Sequence, residues 1–166
     1  MVGIIQAGDE ITADIISAIA PLCVIKSADE SVTSSTTLQN DNQLLLPLLV
    51  ANTTYKFECY LDYEGGTAGS SDLKWTWSVP SGATLRYQAS FVNISGNQQV
   101  ATTLKDTDTG IAETATAGVL KAVLMVGTLL VGSTTGTLQL QWAQNTSSGT
   151  ATIVHAQSEL TLWRIT

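Results

Sequence analysis

Apolar and polar residues alternate strictly along several stretches of this chain. The clearest lies near the C-terminal end, where Leu138, Leu140 and Trp142 fall on one face and Thr137, Gln139 and Gln141 on the other. A period of two means a strand with one buried and one wet face. The polar turn 145–149 separates it from a second alternating run, in which Leu160 and Leu162 oppose Thr161 and Trp163. Residues 54–63 place Tyr55, Phe57, Cys59, Leu61 and Tyr63 inward and Lys56, Glu58 and Asp62 outward, and Leu73, Trp75, Trp77 and Val79 share one face of a further strand. Shorter strand-like runs cover 22–26, the neighbourhood of Val32, 44–50, 86–95, 100–104, 117–131 and 150–156. Pro47 confines the 44–50 strand to an edge or a bulge. Eight or nine strands with turn signals about every 8–15 residues predict an all-β, jelly-roll-like two-sheet sandwich. No period of about 20–50 residues appears, which argues against a solenoid or propeller.

The N-terminal segment has a different period. Residues 7–21 predict one helix: Asp9 or Thr12 caps it, Glu10 and Asp14 suit its first turn, and Pro21 stops it. Ile11, Ile15 and Ile19 form a narrow i, i+4, i+8 stripe, preceded by Ile4 and Ile5. Two to three helical turns are marginal alone, so this stripe needs a surface to dock on. The chain therefore divides into a helical anchor or oligomerisation segment, 1–21, and a sandwich domain, 22–166.

Composition sharpens this picture. Ser and Thr make up roughly a quarter of the 166 residues, and charged residues only 13%, about half the usual share. Wet strand faces dressed in Thr and Gln suit a stiff display protein better than a catalyst. The net charge is −7, and the seven basic residues (Lys26, Lys56, Lys74, Arg86, Lys105, Lys121, Arg164) are widely separated. No basic patch invites nucleic acid. Residues 1–6 lack the basic region of a signal peptide, and the apolar run 119–131 is interrupted by Lys121 and too short to span a bilayer. Cys23 and Cys59 lie in apolar runs and read as buried free thiols, with a Cys23–Cys59 disulfide as the alternative.

Chemical motifs are sparse. His155 is the only histidine, so a Ser/His/acid arrangement would need it, with Ser158 nearby; a strand histidine is the simpler reading. Asp106, Asp108, Gly110 and Glu113 have a spacing faintly like a calcium loop, though an Asp/Thr/Gly hairpin turn explains it equally well. Asp62 with Glu64, or Asp29 with Glu30, are the acid pairs a glycosidase would use, but loop acids are usually just solvated. Gly65, Gly66 and Gly69 precede a strand, where a phosphate cradle would need a helix. Trp75 and Trp77 read either as a sugar-stacking platform or as core, and their shared apolar stripe favours core. Trp163, opposite Leu160 and Leu162, is the candidate exposed ligand or interface residue. The sequons at Asn52, Asn93 and Asn145 read as turn chemistry. No catalytic residue, metal or cofactor is expected.

Two blocks carry a family likeness. Residues 26–44 (KSADESVTSSTTLQNDNQL) running into 51–57 (ANTTYKF), and residues 136–147 (GTLQLQWAQNTS) with 160–164 (LTLWR), resemble β-sandwich virion proteins of tailed phages, especially those of actinobacterial hosts. The opening AGDEITA of residues 7–13 is similar to the helical lead-in of many phage tail and fibre proteins. The resemblance implies a non-enzymatic virion component: a small homotrimeric capsid decoration or head-fibre protein on the particle exterior, docked through Ile4, Ile5, Ile11, Ile15 and Ile19. The alternative it implies is a minor tail or tail-fibre protein whose sandwich binds a receptor or host cell-surface glycan. Either way the partners are other copies of the chain and a capsid or tail protein, with no nucleic acid and no membrane.

Overall fold

The computed structural model describes residues 8, 10, 12, 20–48, 50–65, 72–92, 98–100, 103–112 and 118–165. Most of the helix expected over 7–21, including Ile11, Ile15 and Ile19, lies outside the described residues, as do Ile4, Ile5 and Glu113.

Thirteen strands are described, in chain order β1 (Leu22–Ile25), β2 (Glu30–Val32), β3 (Gln39–Leu48), β4 (Thr54–Glu64), β5 (Leu73–Ser78), β6 (Thr84–Val92), β7 (Gln98–Val100), β8 (Leu104–Lys105), β9 (Gly110–Ala112), β10 (Lys121–Leu130), β11 (Gly136–Gln144), β12 (Thr152–Val154) and β13 (Glu159–Arg164). They form two sheets, and no helix occurs among the described residues. The first sheet runs β1-β13-β4-β10-β6-β7, with β12 joined to β2 and β4, and β8 to β6; the second runs β3-β11-β5-β9.

The two sheets bury the faces that the alternation marks. β4 supplies Tyr55, Phe57, Cys59, Leu61 and Tyr63, β5 supplies Leu73, Trp75 and Trp77, and β11 supplies Leu138, Leu140 and Trp142. Val123, Met125 and Leu129 of β10 and Leu160 and Leu162 of β13 complete the layer. Each large apolar side chain taken from water contributes about 1.5–3 kcal/mol. Two glycines make room for close neighbours, one for backbone and one for an aromatic ring. Gly127 sits between Phe57 and Tyr87 in register, and a Cβ there would overlap the Arg86 carbonyl oxygen. Gly110 faces Trp75 across the β5–β9 pair, and a Cβ there would overlap the indole ring.

Several expectations change in detail. β3 begins at Gln39, five residues ahead of the apolar run, because Asp41 points inward into a buried charge cluster. It pairs only with β11 and so forms an edge, with Pro47 exposed on it and a register shift opposite Gln139 and Gln141. Cys59 is buried but Cys23 is exposed, and both are free. Edge strand β1 is covered on one face only. Register puts Cys23 level with outward Thr161, and Cys59 level with inward Leu160. Pointing to opposite sides of the sheet, the thiols cannot meet. Thr161 is not wet: its hydroxyl donates to Glu159 Oε1 at 2.6 Å and the residue is buried. Gln144 is buried too, its amide holding Thr150 O and its carbonyl oxygen taking the Ser148 N–H.

Candidate functional site

The single histidine lies at the end of the sandwich where β12 meets β2 and β4. Its Nδ1 is 3.4 Å from Asp29 Oδ1 and its Nε2 3.9 Å from Glu64 Oε2. Ser158 is turned away: its hydroxyl donates to the His155 carbonyl at 2.9 Å and accepts from Asp62 N at 3.0 Å. It therefore works as a main-chain brace for the β12–β13 turn, and its hydroxyl is not aimed at the imidazole. Asp29 Oδ1 accepts the Ala156 N–H at 2.8 Å. That bond, more than the nearby imidazole, holds the Asp29 carboxyl below its ordinary value.

The remaining sequence candidates resolve into structural parts. Asp106 Oδ1 accepts from Leu85 N at 3.1 Å and Asp108 Oδ2 from Lys105 N at 2.8 Å. These are turn bonds that tie the β8–β9 connection to β6. Among the described residues no cluster of three His, Cys, Asp or Glu side chains is arranged to hold a metal ion. Trp75 and Trp77 are core: Trp75 Nε1 donates to Tyr87 Oη at 3.1 Å, and Trp77 meets Phe57 edge to face at 5.0 Å. Burial pushes the Tyr87 phenol well up, with the Trp75 bond opposing it. Trp163 is half-buried on the outer face of the first sheet, with Lys56 Nζ 4.7 Å from its ring centroid. A cation already covers the ring that a sugar would stack on.

The most highly organised polar group joins Lys26, Glu30 and Asp41, residues that no motif connects in the sequence. Lys26, just after β1, is 2% exposed, and Asp41, on β3, is 0% exposed. The Lys26 ammonium group lies 3.0 and 2.9 Å from the two Asp41 oxygens and 2.9 Å from Glu30 Oε2. Asp41 Oδ1 also accepts the N–H groups of Gln43 and Leu44, at 2.9 and 2.8 Å, and Oδ2 accepts Trp142 Nε1 at 3.1 Å. Glu30 Oε2 takes a further bond from Asn42 N at 3.0 Å. The cluster spans the side of the sandwich where β1 of the first sheet lies beside β3 of the second. Alternation gives no sign of it: Asp41 stands three residues ahead of Leu44, out of the period-two frame of Leu44, Leu46 and Leu48, and turns inward across the register shift between β3 and β11.

Apolar surface is exposed at both ends, with Val119 and Leu120 at the His155 end and a second group at the end where the chain enters β1. The chain enters β1 through Ala20 and Pro21, and Leu22 pairs with Leu162. Ile165 N donates to Thr54 O at 2.8 Å, and Leu130 pairs with Thr54 from the other side. Leu130 is 50% exposed, Ile165 48%, and Val50 in the adjoining turn 37%. On the outer face of the first sheet, Tyr60 and Leu124 are exposed and in register, with Val126 next along β10.

No protein-family model matches the chain, and no curated protein matches it. Among solved structures the chain is similar to the tripod (BppUct-A-L) from the baseplate of bacteriophage Tuc2009, at 11% identity and a TM-score of 0.40, over 98% of this chain and 73% of that one. It also aligns with infectious bursal disease virus, Gt strain, at 9% identity and a TM-score of 0.23, over 89% of this chain and 42% of that one. Both scores are too low to assign a fold or a role.

Proposed function

We propose that this chain is a non-enzymatic structural protein of a bacteriophage particle, a homotrimeric decoration or head-fibre protein. It docks on the exterior through residues 1–21 and displays the sandwich. The observation that carries the reading is the place where residues 1–21 join the domain. The docking segment leads into β1 at the end where Val50, Leu130 and Ile165 are exposed. The far end holds His155, Asp29 and Glu64, together with the exposed Val119 and Leu120 that lead into β10. Strand order supports a jelly-roll reading: β1-β13-β4-β10 faces β3-β11-β5-β9, with β6, β7 and β8 added to the first sheet. The two sequence blocks that resemble phage virion proteins agree with it. The exposed Tyr60, Leu124 and Val126 supply an apolar patch for self-association.

Deletion of residues 1–21 tests the docking role. The truncated chain is expected to keep its β-sheet circular dichroism and to disappear from purified particles. Undiminished incorporation would remove the anchor from the reading, and a native mass of one chain would remove the trimer.

A further inference from the structure

Lys26, Asp41 and Glu30 bring together the parts of an acyl-transfer site. The amine nitrogen touches both oxygens of a carboxyl group. A second carboxylate touches the same nitrogen. Two main-chain N–H groups, from Gln43 and Leu44, converge on one oxygen of the first carboxyl. Water is excluded, since Lys26 and Asp41 are both at least nine-tenths buried. We propose that Lys26 Nζ and Asp41 Cγ become joined by an intramolecular amide bond, with Glu30 as the catalytic residue that moves the proton.

An ammonium–carboxylate pair and an amine–carboxylic acid pair hold the same protons. From the neutral pair, Nζ attacks Cγ and the carbonyl electrons move onto Oδ1, where the Gln43 and Leu44 N–H groups stabilise the oxyanion. Glu30 takes a proton from the nitrogen and delivers it to the protonated Oδ2. The Cγ–Oδ2 bond breaks and one water leaves. An amide remains, and Glu30 is again a carboxylate. Atoms, protons and electrons balance with no oxidant and no added reagent. Reacting groups held in contact reach effective concentrations on the order of 10⁵–10⁸ M, which is how an unactivated carboxyl can be made to react. The bond would tie β1 of one sheet to β3 of the other along the side of the sandwich. It does not depend on where the protein acts.

Mass spectrometry of the purified, folded full-length chain is the test. The intact mass is expected to be one water below the sequence mass. Lys26 is the first basic residue in the chain and Lys56 the second. An acylated Lys26 resists trypsin, so denatured digests should yield residues 1–56 as one branched peptide lacking one water. Glu30→Gln, verified as folded, should have the full sequence mass and be cut after Lys26. Separate, unmodified peptides 1–26 and 27–56 from the natural chain would overturn the proposal. So would a missing water with normal cleavage after Lys26, because that places the lost water elsewhere. Unimpaired cross-linking in Glu30→Gln would overturn the role of Glu30.

Discussion

Replacing Gly110 with alanine puts one methyl group where the fold has none to spare. The added Cβ would overlap Trp75 Cε2 and Cζ2 and lie 2.8 Å from Nε1. Trp75 is fully buried, and its indole N–H is held by Tyr87 Oη. Tyr87 in turn packs against Phe57 at 5.9 Å, so the ring has nowhere to swing freely. Either the indole moves and leaves a buried donor and acceptor unpaired, or β9 lifts off β5. Overpacking costs about 1–3 kcal/mol, and a stranded hydrogen-bonding group about 1–3 kcal/mol more. For a domain of this size each kcal/mol lowers Tm by about 2–4 °C, so the expected fall is roughly 4–24 °C. Thermal unfolding followed by circular dichroism measures it. Gly149→Ala is the control, since a Cβ there meets nothing within 4 Å and surface substitutions stay within about 0.5 kcal/mol. Trp75→Phe should rescue part of the loss in the Gly110→Ala background, giving a coupling of about 0.5–3 kcal/mol. A Gly110→Ala melt indistinguishable from that of Gly149→Ala would refute the packing described for Trp75.

Tyr87 makes stability depend on alkaline pH. Burial raises its folded value above the unfolded 10.0. The neutral phenol's contribution is therefore complete below that pH and is lost as pH rises above it. The urea midpoint should fall above pH 10, and Tyr87→Phe should flatten that slope; an unchanged slope would assign the loss to other groups. Trp163→Ala removes the Lys56 contact and should cost only about 0.5–1 kcal/mol in a urea titration. The variant should leave binding to a glycan array unchanged, and a binding signal that vanished with the ring would restore the sugar-platform reading.

The alternating residues of β4, β5, β11 and β13 were legible because one face of each packs on the other sheet, and burial enforces period two. The core role of Trp75, Trp77 and Trp142 followed from the same alternation. β9, at Gly110–Ala112, was not legible: three residues carry no usable period, and its pairing with β5 depends on a glycine that admits an indole ring. Cys23 was misjudged because an edge strand covers only one face. The Lys26, Glu30 and Asp41 cluster was hidden for a different reason. Charged residues among serines and threonines look solvated until a partner fifteen residues away and a tryptophan from β11 close over them. That enclosure is tertiary and leaves no local signal.

The proposed role makes the chain an exterior component of a phage particle, docked by the end where residues 1–21 join the sandwich. Imaging the intact particle at subunit resolution tests it most directly. Copies of the sandwich are expected in threes on the outer surface, with Val50, Leu130 and Ile165 toward the particle and His155 away from it. Particles that lack the chain, or that hold it by the His155 end, would refute the proposed role.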